Sequence, residues 1–244
     1  MKLVGERRAI AALLFSFYFL LWLLNGLAGP DETKNMLLAL AGCYGLAAFS
    51  LIAGYFWARW YAVGLGLFGL IVAIVGCWQL KTIEPTFVFF GGTHLVAAMA
   101  LWGETMSGSY DGQLGWREKF HMDENAVQRL GRSVIRVGVS LPFVLLYALM
   151  PKADAVSFAA LGLALVGFAG LVKMRTWGVL ALGAAGVTLL AGSAHLVCPY
   201  APSSVGLVMP AAQLAALSPV AIGILILTAV VPFVRPMGRW IAAR

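Results

Sequence analysis

Charge is scarce in this chain. Its 244 residues include 17 Lys and Arg and 10 Asp and Glu, or 11%, where a soluble globular domain carries about 25%. So few charges cannot cover a water-facing surface, which excludes a soluble globular protein. Cysteine is scarce too: Cys43, Cys77 and Cys198 form neither a disulfide framework nor a CxxC pair. No acidic residue falls in the middle of an apolar run, which argues against a pump with a carboxylate relay. Gly91-Gly92 stands without a GxGxxG or a preceding strand, so nucleotide binding has no footing. The alternating segments of about ten residues that build a membrane β-barrel are missing as well.

What remains is long apolar sequence, 61% hydrophobic with a mean hydropathy of +0.90. Lipid offers no partner to backbone N–H and C=O groups, so a spanning segment must satisfy its own by coiling into a helix. Runs of about 17–25 residues suit a hydrocarbon core of about 30 Å. The expected fold is therefore all-α, a polytopic bundle of eight spans. These are Ala9–Gly29, Met36–Trp57, Tyr61–Leu80, Phe87–Gly103, Ser133–Met150, Val156–Leu171, Trp177–Val197 and Ser218–Val234. The first carries a small-x-small triad, Gly26-Leu27-Ala28, that would suit an export signal; it is read as a retained anchor. Pro30–Asn35 is expected as a polar loop, with Asp31 or Thr33 capping the next helix. Ala58-Arg59-Trp60 is expected as a tight turn, and Pro210–Leu217 as a short interfacial helix or re-entrant piece.

The stretch Glu104–Arg136 breaks the apolar pattern and holds five of the ten acidic residues. Read as a cytoplasmic bridge, it divides the chain into a first four-helix half (1–103), the bridge (104–132) and a second half (133–244). Asp123-Glu124 looks like a helix start that runs on into the fifth span, where Pro142 is a candidate kink. Arg136, one turn inside, is expected to snorkel to the inner surface. Lys and Arg alternate by side: Lys34, Lys81 and Lys152 fall on one, the other 14 on the other. The positive-inside rule puts both termini and the bridge in the cytoplasm, as in a bacterial inner membrane. The excess of basic residues, a net charge of +7, is thus a matter of lipid topology and not of nucleic-acid binding. At an offset of 116, Ala53, Gly54, Arg59, Val63 and Gly76 match Ala169, Gly170, Arg175, Val179 and Gly192, the mark of an internal repeat or of chance in apolar sequence.

On this topology His94, His195, Cys43, Cys77 and Cys198 all fall in the outer half of the membrane. His and Cys are ligands for haem iron or a metal ion, and they serve equally as interhelix hydrogen-bond partners and small core residues. Asn25, Gln79 and Thr93 are weaker polar candidates near the same side. Glu104, at the inner end of the fourth span, either pairs with an Arg of the bridge or faces water. In the bridge, Trp116 and Phe120 share a helix face, with Arg117 and Lys119 beside them. That amphipathic segment suits the bilayer surface or a docked protein partner. Three functions follow: a non-catalytic structural or accessory subunit of a larger membrane complex or homo-oligomer, a small-solute transporter, or a haem- or metal-binding redox protein.

Overall fold

A computed structural model describes residues 3–119, 124–150, 154–194, 207–209, 212–214 and 218–242. The helices are α1 (Val4–Ala28), α2 (Asp31–Ala53), α3 (Ala58–Leu80), α4 (Pro85–Leu101), α5 (Glu104–Ser107), α6 (Leu114–Lys119), α7 (Glu124–Ala148), α8 (Ala155–Val172), α9 (Thr176–Ser193), α10 (Pro219–Thr228) and α11 (Val231–Ala242). Between α9 and α10, β1 (Leu207–Met209) pairs antiparallel with β2 (Ala212–Leu214), Val208 opposite Gln213. Six helices, α1, α2, α3, α7, α8 and α9, are long and apolar enough to cross a membrane, and α4 and α10 are shorter apolar helices. Large apolar side chains such as Leu13, Phe49, Ile74, Trp78 and Leu180 stand exposed along them. Lipid is the solvent such surfaces need, so this is a multi-pass membrane protein.

Several boundaries differ from those read in the sequence. Helix α2 begins at Asp31, directly after Pro30, and neither Asp31 nor Thr33 caps it. Asp31 and Glu32 instead sit in its first turn, where the helix dipole favours negative charge. The following turn is Gly54–Trp57, and Ala58-Arg59-Trp60 is the first turn of α3. Gly54 sets that boundary: its φ of 76° is left-handed, and its N–H closes on the carbonyls of Ser50 and Leu51. The eighth apolar run is broken in two at Ala229-Val230, between α10 and α11. Within Pro210–Leu217, expected as a short interfacial helix or a re-entrant piece, the described Ala212–Leu214 is a strand paired with Leu207–Met209. At the 116-residue offset, Gly54 leaves its helix whereas Gly170 lies within α8, and there Met174 (φ 57°) turns the chain.

Helix α7 is the pillar of the bundle: 78% of its apolar window is buried, against 33% for α1. It runs unbroken from Glu124 through Pro142, in line with the helix start expected at Asp123-Glu124, though Asp123 lies outside the described residues. One apolar core threads both halves of the chain. Phe68 of α3 meets Phe143 of α7 edge-on at 4.7 Å, and Tyr61 meets Phe168 of α8 at 5.2 Å. Where α3 crosses α7, Gly64 and Gly138 let the backbones touch. A Cβ on Gly64 would lie 2.2 Å from the Ile135 carbonyl oxygen, and one on Gly138 would lie 2.7 Å from that of Tyr61. Small residues at such crossings give membrane helices the close packing that lipid does not otherwise favour.

The crossing gives a direct expectation. Gly64→Ala presses a methyl into backbone that cannot swing aside, and overpacking costs about 1–3 kcal/mol. Gly42→Ala, with nothing within 4 Å of the new methyl, is neutral or slightly stabilising through helix propensity. Thermal unfolding of both variants in detergent checks this; equal midpoints would show that the crossing is slack.

Candidate functional site

Two polar clusters stand out from the apolar bundle. The first is deep in the first half, where α1, α2 and α4 face one another. His94 of α4 is 1% exposed. Its Nδ1 lies 2.7 Å from the Phe90 carbonyl oxygen; a carbonyl only accepts, so Nδ1 carries the proton. The Nε2 of the neutral ring therefore accepts from the Tyr44 hydroxyl of α2, at 2.7 Å. The Tyr18 ring of α1 packs on the imidazole at 4.4 Å, and the Tyr18 hydroxyl and Thr93 share a hydrogen bond of 2.6 Å. Gly69 of α3 closes the remaining side: a Cβ there would lie 2.1 Å from the His94 ring. Both ring nitrogens are engaged, so a metal or haem at Nε2 would displace Tyr44.

His94 lies nine residues into the 17-residue α4, near its middle. Cys43 is buried in α2 beside Tyr44, and its carbonyl accepts from the Tyr61 hydroxyl at 3.5 Å. Cys77 stands eight residues beyond Gly69 on α3, about 12 Å along the axis at 1.5 Å per residue. His195 and Cys198 lie outside the described residues. Among the described residues no three His, Cys, Asp or Glu side chains converge. Asn25 bonds its own helix at Leu21, and Thr93 bonds Phe89 and Phe90. Tyr18 and Tyr44, which complete the cluster, carry no signal in sequence, because a tyrosine in an apolar run reads as core.

The second cluster lies where the N-terminal parts of α1, α3 and α7 meet the ends of α2, α4 and α10. Its arginines grip helix ends. Arg7 donates to the Ala100 carbonyl (2.9 Å), to the Thr105 hydroxyl (3.0 Å) and to the Met99 and Trp102 carbonyls at the end of α4. Arg8 donates to the Ile52 carbonyl near the end of α2 and lies over the Tyr110 ring. Arg136, half-buried, donates to the Thr228 carbonyl at the end of α10 (2.8 Å), beside Ser133, which donates to Ala229 (2.6 Å). Arg59 makes a two-pronged ion pair with Asp111, both contacts 2.7 Å, with side chains 14% and 8% exposed.

That pair folds the first part of the bridge under the bundle. Met106 and Tyr110 are fully buried, and the Tyr110 hydroxyl donates to Leu51 (3.2 Å). Burial pushes that hydroxyl above its ordinary pKa, with Arg8 pulling the other way. Beside the pair opens a recess of about 420 Å³ between α3, α5 and the start of α7. Charge of both signs lines it: Arg59 and Arg132 against Glu104, Asp111 and Glu124, with Gln128 and Trp102 between. Glu104 thus faces this open recess. Of the residues expected to dock a partner, Trp116, Arg117 and Lys119 lie on α6, their side chains outside the described set, and Phe120 is outside it altogether. No protein-family model, curated protein or solved structure matches the chain.

The His94 cluster behaves as a hydrogen-bonded pin between helices. Tyr44→Phe leaves a buried imidazole acceptor unsatisfied, an expected loss of about 1–2 kcal/mol. Tyr44→Phe and His94→Phe together should lose less than the sum of the two single variants, read from unfolding in detergent as a double-mutant cycle. Strict additivity would mean that the bond contributes nothing.

Proposed function

We propose that this chain is a non-catalytic subunit of a larger membrane assembly, docking through the end of the bundle that carries the arginines. Six long helices are joined in this reading by α4 and by α10 with the start of α11, giving eight spans with both termini in the cytoplasm of a bacterial inner membrane. At the arginine end the N-terminal parts of α1, α3 and α7 meet the last turns of α2, α4 and α10. The alternation of Lys and Arg along the sequence assigns 14 of the 17 basic residues to this side, as the positive-inside rule expects of a cytoplasmic face.

The observation that carries the docking role is the recess beside Arg59–Asp111. It is wide, open and lined by both signs of charge, which suits a polar segment of another polypeptide better than an apolar solute. The deep polar groups, by contrast, are taken up by each other: His94 by Tyr44 and Phe90, and Tyr18 by Thr93. Helix α6, which carries Trp116, begins three residues after Asp111 and so continues from this face. Interfaces of this kind use an aromatic anchor surrounded by a polar rim.

Native mass spectrometry of the protein extracted in mild detergent from its own cells tests the proposal. The expected result is a second polypeptide, or a second copy, in fixed ratio, lost in Trp116→Ala/Phe120→Ala while helicity is unchanged. A bare monomer, or an assembly indifferent to those changes, would contradict it.

A further inference from the structure

The same end of the bundle holds a second feature that the docking reading does not use. Between the start of α7, the α8–α9 turn and α11 is a pocket of about 190 Å³. Its floor is apolar: Leu130, Leu171, Val179 and Phe233. Its rim carries Arg129 and Arg175. Arg129 also borders a neighbouring opening of about 460 Å³, shared with Arg235. Among the described residues, no carboxylate lines either space.

These arginines differ from those that hold helix ends or Asp111. Arg7, Arg8, Arg59 and Arg136 direct their donors at helix ends or at Asp111. Among the described residues, Arg129 donates only its Nε, to the Asn125 carbonyl of its own helix (3.0 Å). Among the described residues, its Nη groups and the guanidiniums of Arg175 and Arg235 have no ion-pair partner. Two cations on the rim of an apolar cavity, with a third at the neighbouring opening, match one chemistry. An anionic phosphate satisfies the guanidinium forks, and a hydrocarbon chain fills the floor.

We infer that this pocket binds an anionic phospholipid, its phosphate held by Arg129 and Arg175 at the rim and the top of an acyl chain lying on Val179 and Phe233. Basic pockets between membrane helices near the cytoplasmic surface have the charge for such headgroups. A zwitterionic lipid fits less well, because its terminal cation would enter a site with no carboxylate among the described residues to receive it. Free phosphate would meet the arginines and leave the apolar floor bare.

The inference does not depend on a protein partner and is tested on the isolated chain. The delipidated full-length protein is titrated in detergent with phosphatidylglycerol and, separately, with phosphatidylcholine of the same acyl chains, and adducts are counted by native mass spectrometry. Phosphatidylglycerol should bind at least about tenfold more tightly, from about 1 kcal/mol for each basic residue near the surface. Arg129→Gln/Arg175→Gln should weaken it about thirtyfold and weaken phosphatidylcholine by less. Val179→Phe, which fills the floor and keeps the arginines, should also weaken it, and millimolar inorganic phosphate should not displace it. Equal binding of the two lipids, or indifference to the Arg changes, would overturn the inference. Displacement by phosphate with Val179→Phe silent would instead identify a free-anion site and overturn the lipid assignment.

Discussion

The last turns of α2, α4 and α10 leave carbonyl oxygens that no residue of the same helix can satisfy. Near a bilayer, water is an unreliable substitute, and an unpaired polar group there is costly. In this protein some of the donors are arginines of other helices. Arg7 and Arg8 of α1 serve α4 and α2, and Arg136 of α7 serves α10. A guanidinium is well suited to this role. It has five donors in a fixed fork, keeps its charge at any relevant pH, and favours the negative end of the helix dipole. The same residues that orient a chain in a membrane thus also tie its helices together in pairs, start to end.

Those ties set the height of each helix, and the glycine crossings set the spacing. With α1, α2 and α4 held at one end by Arg7 and Arg8, Tyr18, Tyr44 and His94 arrive at one level. Gly69 then admits the imidazole against α3. Gly64 and Gly138 bring α7 against α3 closely enough for Phe68 to reach Phe143. Arg59, in the first turn of α3, completes the arrangement by drawing Asp111 and its turn under the bundle. The recess proposed for docking is the space left between that turn and the start of α7, so its shape depends on the same ion pair.

The long helices were legible in the sequence because burial in lipid demands about 20 apolar residues in a row, and such runs are hard to mistake. Boundaries were less so. Gly54 ends α2 by a left-handed turn, yet it sits among many other glycines that do nothing of the kind. The break at Ala229-Val230 falls inside apolar sequence that Thr228 and Pro232 alone interrupt. His94 was visible by residue type; its partners Tyr18 and Tyr44, on two other helices, were not. Asp111 and Arg59 are 52 residues apart, and their pairing depends on the fold. Least legible was the work of the arginines, since the acceptors are backbone carbonyls and every residue has one. Fourteen basic residues on one side read as topology alone, and the arginines at the lipid pocket read no differently from those that hold helix ends.

The most direct measurement is the unfolding stability, in detergent, of Arg7→Lys beside Arg7→Gln. Lysine keeps the charge and therefore any role in orientation, but a single ammonium cannot reach the set of acceptors at Ala100, Met99, Trp102 and Thr105 that Arg7 spans. If arginine forks hold the helix ends, Arg7→Lys loses about 1–3 kcal/mol, close to the loss in Arg7→Gln. If Arg7→Lys is as stable as the unaltered protein, the charge alone matters and the clamp account fails.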